Sequence, residues 1–502
     1  MYHYKYPENC NTIKKQNMKI FEIESSKYVI LCAFFLSVLT LFSCSPEEPS
    51  LPNILFIAAD DLNTDIGCYG NNQVKTPHLD RLAKMGVRFN NAYAQQALCG
   101  PSRASIMSGL RPNTTGFVRL NDNLRKLKPD VITLGQFFKK KGYYSGRVGK
   151  IYHYGNPSEI GTDGHDDPLT WQERYNPVGI DKIHEDSIIR FPGGKTGIKE
   201  NLGISMAYWD PISDDSEHTD GMVADRAIEM MKRNKDKPFF VAAGFFNPHC
   251  PYVAPKKYFD LYPLEEITMP DLDEAKRDLE DVPAMAVQRD TKNYPYYLDG
   301  ITADEARKCK QAYYASVSFL DAQVGKLLDA LEENKLLENT IVIFWSDHGY
   351  FLGEKGLWYK RKNFERSLKV PLIIAGHGVN ERNKIVNQPV ELVDLYPTLV
   401  DLSGNQVPKE LDGKSLLPFL KNSDYNWDKP AISQVYHATN AQGYTIRTKR
   451  WRYTEWNGGG AGYELYDHEN DPDEIVNLAN NTAYVSIVKK LKAELRPYTK
   501  YN

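Results

Sequence analysis

NILFIAADD, residues 53–61, joins an unbroken apolar run to two adjacent carboxylates. An apolar run without alternation, bounded by polar residues, reads as a strand buried on both faces of a sheet. IVIFWSDHG, residues 341–349, has the same form and ends in Asp347 and His348. FFVAA (239–243) and LIIA (372–375) are two more runs of this kind. Between them lie helical stretches at Leu79–Lys84 and Met222–Met231. A longer helix carries Tyr313, Val317, Leu320, Val324, Leu327 and Leu331 on one face. Strands separated by helices predict an α/β fold, with a large, mostly parallel sheet sandwiched by helices. In such sheets ligands bind beyond the carboxyl ends of the strands. Asp60 and Asp61 should therefore meet Asp347 and His348 at one sheet edge. Adjacent carboxylates repel unless a cation lies between them, and oxygen donors select hard ions such as Ca²⁺ or Mg²⁺. A lone Asp-Asp pair is also common as a solvated turn. A second acid-bearing strand end favours metal binding.

The whole-chain figures agree with a globular protein. Of 502 residues, 41% are hydrophobic and 25% charged, which excludes a disordered, fibrous, coiled-coil or polytopic membrane chain. Lys and Arg total 62 against 65 Asp and Glu, so no basic face for nucleic acid is indicated. Seven scattered Cys do not make a disulfide scaffold. The most apolar stretch, YVILCAFFLSVLTLF at 28–42, is shorter than the roughly 20 residues a spanning helix needs. It has the length of a signal-peptide core and runs into Leu41-Phe42-Ser43-Cys44. Residues 1–43 are read as a bacterial lipoprotein signal peptide that is removed, with translation starting at Met1 or Met18. Cys44 is the lipidation site, so the chain is expected to be membrane-anchored in a cell envelope. The expected organisation is a linker at 44–52, a catalytic domain at 53–430 and a smaller C-terminal α+β subdomain at 431–502.

CGPSRASIMSG, residues 99–109, is the second informative stretch. Pro101 suits the first turn of a helix, which puts Cys99 at a helix N-terminus, where negative charge and nucleophiles are favoured. An isolated Cys is otherwise a small buried hydrophobe.

This stretch resembles the signature of the formylglycine-dependent (type I) sulfatases, whose fold is alkaline-phosphatase-like. The resemblance runs from PNILFIAADDL through ELVDLYPTLVDLSG and LDGKSLLPFL to ELYDHENDPDEIVNLA. AADDLNTDIGCYG, GKIYH, FFNPH and WSDHGYFLGEKGLW are similar to the iduronate-2-sulfatase-like branch. The resemblance implies that a formylglycine-generating or maturase enzyme converts Cys99 to formylglycine, whose hydrate is the nucleophile. It implies that Asp60, Asp61, Asp347 and His348, with the modified Cys99, hold one Ca²⁺. Arg103 would neutralise the hydrated aldehyde, and Lys150 and His153 would lie beside the sulfate and nucleophile. His249 would contact the scissile oxygen as the candidate acid. Lys360, near Lys355 and Lys362 in sequence, would be the second sulfate-binding Lys. Taken one at a time, a Lys is more often a solvated charge and a His a satisfied polar group.

These residue types suit sulfate ester hydrolysis. A cation and two ammonium groups offset the charge of an anionic ester. A hydrated aldehyde allows a two-step displacement, and a His can protonate the leaving alcohol. The branch implies a sulfated oligosaccharide or polysaccharide substrate, with 2-O-sulfate on iduronate or another uronate, from glycosaminoglycan or ulvan. Arg447, Lys449, Arg450 and Arg452 form a basic cluster that can be a substrate-carboxylate contact or a solvated strand edge. A phosphonate or phosphodiester hydrolase of the same superfamily and a non-catalytic sugar-binding lipoprotein are the competing functions. Cys68, Cys250 and Cys309 remain without an assigned role, which allows at most one disulfide.

Overall fold

The computed structural model describes residues 51–288, 301–437 and 442–500, besides Met1 and His3. The apolar leader stretch and Cys44 lie outside these residues. The central sheet has nine strands. They are β1 (Asn53–Ala59), β2 (Gly86–Tyr93), β3 (Tyr144–Gly149), β4 (Glu173–Tyr175), β5 (Phe239–Gly244), β6 (Thr340–Ser346), β7 (Lys369–Val370), β8 (Leu372–Gly376) and β9 (Lys384–Glu391). Their order is β7-β2-β8-β6-β1-β5-β3-β4, with β9 paired to β2. The middle, β6-β1-β5-β3-β4, is parallel, as is β9 with β2. β8 runs antiparallel to both β6 and β2, and β7 antiparallel to β2. The parallel expectation holds for the region that carries the site and gives way to a mixed edge beyond it.

The apolar run of β1 has a simple cause. Leu55, Ile57 and Ala59 enter one apolar cluster, while Ile54, Phe56 and Ala58 enter the other. Successive side chains alternate faces, so a strand covered on both sides needs apolar residues at every position. On the first face pack α1 (Pro77–Met85), α4 (Thr219–Arg233) and α5 (Ala303–Glu333). On the second pack α2 (Cys99–Ser108), α3 (Leu134–Lys140) and α6 (Leu395–Leu402). The long helix α5 starts at a reciprocal cap: Thr302 Oγ1 accepts from Glu305 N at 3.2 Å, and Glu305 accepts from Thr302 N at 3.0 Å.

β2 and β3 carry no apolar run. GVRFNNAY has polar residues facing half-buried positions, and YSGRVG buries Arg147 against Asp166 at 2.7 Å. A small three-stranded sheet is formed by Ile189–Phe191, Met206–Trp209 and Tyr252–Val253. A four-stranded antiparallel sheet begins at Ala431 and ends at Asp467. Two of its strands, Gln442–Arg447 and Trp451–Trp456, pair antiparallel as a hairpin. Helix α7 (Val485–Leu495) covers it through Leu491 and Leu495. Among the described residues no helix is long and apolar enough to cross a membrane, and Cys68, Cys99, Cys250 and Cys309 are free thiols.

Candidate active site

β1 and β6 are paired so that Ala59 lies opposite Ser346. The next residues of each, Asp60-Asp61 and Asp347-His348, therefore leave the sheet side by side. Asp347 Oδ1 accepts the backbone N–H of Asp61 at 3.1 Å and that of its own neighbour His348 at 3.1 Å. Cys99 is the first residue of α2, and Ser102 one turn on donates to the Asp347 carbonyl at 2.5 Å. β3 delivers Lys150 and His153, β5 delivers His249, and the short strand Trp358–Tyr359 delivers Lys360. All ten residues named from the sequence as catalytic or metal-binding converge on this edge, and each is buried.

Arg103 is the hub. Its Nε donates to Asp347 Oδ2 at 2.9 Å and its Nη2 to Asp60 Oδ1 at 3.2 Å. Its Nη1 donates to the carbonyls of Lys150 at 2.6 Å and Ile151 at 3.1 Å. Lys150 Nζ lies 2.5 Å from Asp60 Oδ2, a close ion pair without hydrogen-bond alignment. Lys360 Nζ donates to Asp61 Oδ1 and lies 3.2 Å from Cys99 Sγ. The neighbouring lysines are elsewhere: Lys355 grips Asp278 at 2.8 Å and Lys362 donates to the Gln288 carbonyl at 2.6 Å. His348 Nε2 is 3.3 Å from Cys99 Sγ and 3.4 Å from Asp61 Oδ1. His249 Nε2 is 3.7 Å from Asp61 Oδ2.

Two backbone carbonyls set the histidine tautomers. His348 Nδ1 faces the Gly349 carbonyl at 3.0 Å and His249 Nδ1 the Cys250 carbonyl at 2.5 Å. A carbonyl only accepts, so in each ring Nδ1 bears the hydrogen and Nε2 turns its lone pair to the carboxylates. Burial pushes His348 down to about 4. Burial, and then Lys360, hold His249 well below the usual range; burial and Lys150 do the same to His153. All three rings are neutral near pH 7.

Three carboxylates, Asp60, Asp61 and Asp347, face three fixed cations, Arg103, Lys150 and Lys360. The balance is uneven. Burial acts against ionised Asp60, yet Lys150 and its other cationic neighbours hold its pKa well below the usual range. Asp61 is pushed up to about 8 by burial, with Lys360 opposing and Asp60 and Asp347 adding to the rise. Asp60 Oδ2 and Asp61 Oδ2 are buried without a hydrogen-bond partner. Asp60, Asp61, Cys99 and His249 offer ligand atoms within 4.8 Å of one another, and so do Asp61, Cys99, Asp347 and His348. An oxygen-rich donor set with unpaired lone pairs and one carboxyl resisting ionisation is what a hard divalent cation would complete.

The cluster closes one end of a cavity of about 400 Å³ whose lining includes Cys99, His153, His249 and Lys360. Its other wall comes from Gly155–Ser158 and Lys199–Ile204. No periodic pattern in the sequence announces this cavity wall.

The C-terminal basic cluster is mostly spoken for. Arg447 Nε lies 3.4 Å from Glu365, Arg452 Nε 2.5 Å from Glu474, and Arg450 Nη2 2.7 Å from Asp467. Arg447 and Arg452 hold the antiparallel sheet to the segment around Glu365, and Arg450 pairs within the sheet.

A buried cysteine at a helix N-terminus, beside a carboxylate-rich cluster and two lysines, is an arrangement suited to hydrolysis of anionic esters. The comparisons make the class specific: residues 52–405 match the sulfatase family, and residues 353–500 match the C-terminal region of N-sulphoglucosamine sulphohydrolase. The chain belongs to the sulfatase family and is a sulfuric ester hydrolase. Members of this family generally use a formylglycine and a metal ion. A sulfatase of Formosa agariphila is 36% identical, over 92% of this chain and 91% of that protein. Human iduronate 2-sulfatase is 33% identical, over 86% and 91%. Among solved structures, a 2-O glycosaminoglycan sulfatase superposes with a TM-score of 0.67 at 25% identity, over 89% of this chain and 92% of that one. A phosphonate monoester hydrolase of Agrobacterium radiobacter shares the fold with a TM-score of 0.73 at 23% identity, over 89% and 95%.

Proposed function

We propose that this sulfatase removes 2-O-sulfate from iduronate or a related uronate in sulfated oligosaccharides, of glycosaminoglycan or ulvan type. The observation that carries the reading is the convergence of Cys99, Lys150, His153, His249 and Lys360 around one buried acidic cluster at the end of a sugar-sized cavity. The likeness to human iduronate 2-sulfatase supports the sugar and position.

Asp60, Asp61, Asp347 and His348, together with residue 99, would hold a calcium ion. When bound, the ion supplies positive charge for the sulfate oxygens, and a formylglycine at position 99 supplies the nucleophilic hydroxyl. With Asp61 ionised on binding the cation, the protein's own charges cancel, three against three, so a divalent ion leaves an excess that an anionic ester offsets. Lys150 and Lys360 bind sulfate oxygens and stabilise charge that grows on them. Arg103 fixes Asp60 and Asp347 relative to α2. His249, with Nδ1 tied to the Cys250 carbonyl, must carry a second proton at Nε2 to serve the leaving alcohol. An anion bound against that nitrogen raises its affinity for the proton. His153, neutral in its buried position, accepts a proton from the residue-99 side of the cavity. Cys99 is 2% exposed in the folded chain, so the converting enzyme must act before the site closes.

We further propose that Cys44 carries the lipid that holds the enzyme at a bacterial envelope. Leu41-Phe42-Ser43 before it and the apolar stretch upstream support this.

Desulfation of defined heparan, dermatan and ulvan oligosaccharides, with the lost sulfate located by NMR, tests the substrate. Loss of the uronate 2-O-sulfate is expected, and its retention on all three overturns the proposal. Sulfate and phosphonate esters of one chromophore, assayed together, separate this activity from that of the phosphonate hydrolase sharing the fold.

A further inference from the structure

Asp61 is the one member of the acidic cluster with an unusual backbone. Its φ is +62°, in the left-handed region that costs free energy for a residue with a Cβ. It is also fully buried, so its carbonyl and the N–H groups after it must find partners inside the protein. Those partners are specific. Leu62 N donates to Ser346 Oγ at 2.9 Å, on the neighbouring strand β6. Tyr313, from helix α5 across the apolar layer, donates its hydroxyl to the Asp61 carbonyl at 2.8 Å. The same oxygen accepts Asn63 N–H at 2.9 Å. One phenol therefore clamps both sides of the turned segment.

Tyr313 is itself held by groups that belong to the site's other segments. Its ring stacks on Tyr350 with centroids 5.6 Å apart and 20° between planes. It meets Tyr252 edge-on at 5.8 Å. Tyr350 follows Asp347-His348-Gly349, and its hydroxyl is 2.9 Å from that of Tyr252, three residues after His249. Trp358, two residues before Lys360, donates Nε1 to Tyr252 Oη at 3.1 Å. The buried aromatics thus join the segments bearing Asp61, Asp347, His249 and Lys360. Of these aromatics, Tyr313 is the one that hydrogen-bonds to Asp61.

We propose that Tyr313 is a positioning residue for the cation site: it holds Asp61 in its left-handed conformation, so that the carboxylate is presented to a divalent ion. This rests on the reading of Asp61 as a metal ligand. Without the phenol, the Asp61 carbonyl and Asn63 N–H lose their shared partner and the segment relaxes away from the ligand geometry. Groups that orient metal ligands typically contribute about 10–100-fold to metal affinity.

The test measures calcium binding to the whole protein by calorimetry, with the calcium-dependent rise in melting temperature as a second readout. Wild type, Tyr313→Phe and Tyr252→Phe are compared. Tyr313→Phe keeps the ring and removes one oxygen; Tyr252→Phe removes an oxygen from the same network without touching Asp61. The expected result is calcium affinity about 10–100-fold weaker in Tyr313→Phe and unchanged in Tyr252→Phe. Sulfatase turnover by Tyr313→Phe should then recover toward wild type as calcium is raised, because the loss lies in binding. The melting-temperature readout works for a destabilised variant, since an ion that binds only the folded state raises stability by RT ln(1 + c/Kd) at free calcium concentration c. Equal affinity in wild type and Tyr313→Phe overturns the positioning role while leaving the cation site intact. Equal loss in both variants also overturns it, by showing a general softening of the network. A wild-type protein that binds no divalent ion overturns the ligand reading and this inference with it.

Discussion

Two buried charge clusters in this molecule are built from the same side chains and finished differently. At the edge where β9 meets the C-terminal sheet, Arg111 grips Glu391 through both guanidinium nitrogens, at 2.7 and 2.5 Å. Lys429 lies 2.9 Å from Glu391 and 2.9 Å from Asp394. Backbone N–H groups of Ile432 and Lys414 take remaining lone pairs at 2.9 and 2.7 Å. No side-chain atom of these four residues is buried without a partner. At the active-site edge, Asp61 Oδ2 and His153 Nδ1 lack a hydrogen-bond partner, and Asp60 Oδ2 and Lys150 Nζ meet only as a close ion pair without hydrogen-bond alignment. Buried ionic groups are tolerated when fully satisfied and costly when not. The first cluster joins parts of the fold, while the second leaves buried donor and acceptor capacity unfilled, as the proposed binding of an ion and an anionic ester requires. Charge and burial alone do not separate them; the unpaired atoms do.

The sharpest way to break this contrast is at Cys99. Cys99→Ala should lower sulfate release by about 10⁴-fold or more, the scale of losing a covalent nucleophile. Its thermal stability should stay close to wild type, because the thiol's contacts, 3.2 Å to Lys360 and 3.3 Å to His348, serve the site and not the core. Purified variant and wild type are compared on one sulfate ester and in a melting experiment. Near-normal turnover by a folded Cys99→Ala protein would remove position 99 from the chemistry.

The opposite signature is expected at Glu391. Glu391→Gln leaves Arg111 and Lys429 short of a carboxylate in a buried place, which should cost about 3–5 kcal/mol of stability. Turnover per folded molecule should be unchanged. A pH dependence follows. Burial pushes Glu391 up, but Arg111 and then Lys429 overcome it and hold the carboxyl at about 2. A folded pKa below the unfolded value of about 4.3 gives stability that is full above that pH. It is lost as the pH falls toward about 2. Urea melts of both proteins between pH 6 and pH 3 should therefore converge as the pH drops. A constant gap across that range would show that the ion pair contributes little.

What could be read from sequence follows the same division. β1 and β6 were legible because burial on both faces demands unbroken apolar runs, and Asp60, Asp61, Asp347 and His348 were legible as the residues that end them. Cys99 and Arg103 were legible through the CGPSR stretch, and Lys150, His153, His249 and Lys360 through family-like surroundings. β2 and β3 were not, since Arg147 and the Asn residues of GVRFNNAY are satisfied by distant partners that leave no local pattern. Tyr313 was visible only as an apolar position of α5; that its hydroxyl reaches Asp61, 252 positions away in sequence, is a property of packing. The basic cluster shows the reverse case. Four cations within six residues could be a substrate contact or a solvated strand edge, and only the tertiary structure supplies Glu365, Glu474 and Asp467 as partners for its three arginines.

That pairing yields the smallest predicted effect. Arg450 is the most exposed of the three paired arginines, with 45% of its side chain accessible, against 1% for Arg452 and 5% for Arg447. It makes a two-pronged contact with Asp467, at 2.7 Å from both Nε and Nη2. Its guanidinium is thus committed within its own sheet, and solvent weakens the pair. Arg450→Ala should leave KM for a 2-O-sulfated uronate and the melting temperature within experimental error of wild type. A substrate carboxylate held by this arginine would appear as a KM raised about tenfold or more with kcat unchanged, the mark of lost uniform binding. It would return the C-terminal sheet to the substrate side of the molecule. An unchanged KM leaves uronate recognition to the cavity wall at Gly155–Ser158 and Lys199–Ile204, where open space meets the buried cluster.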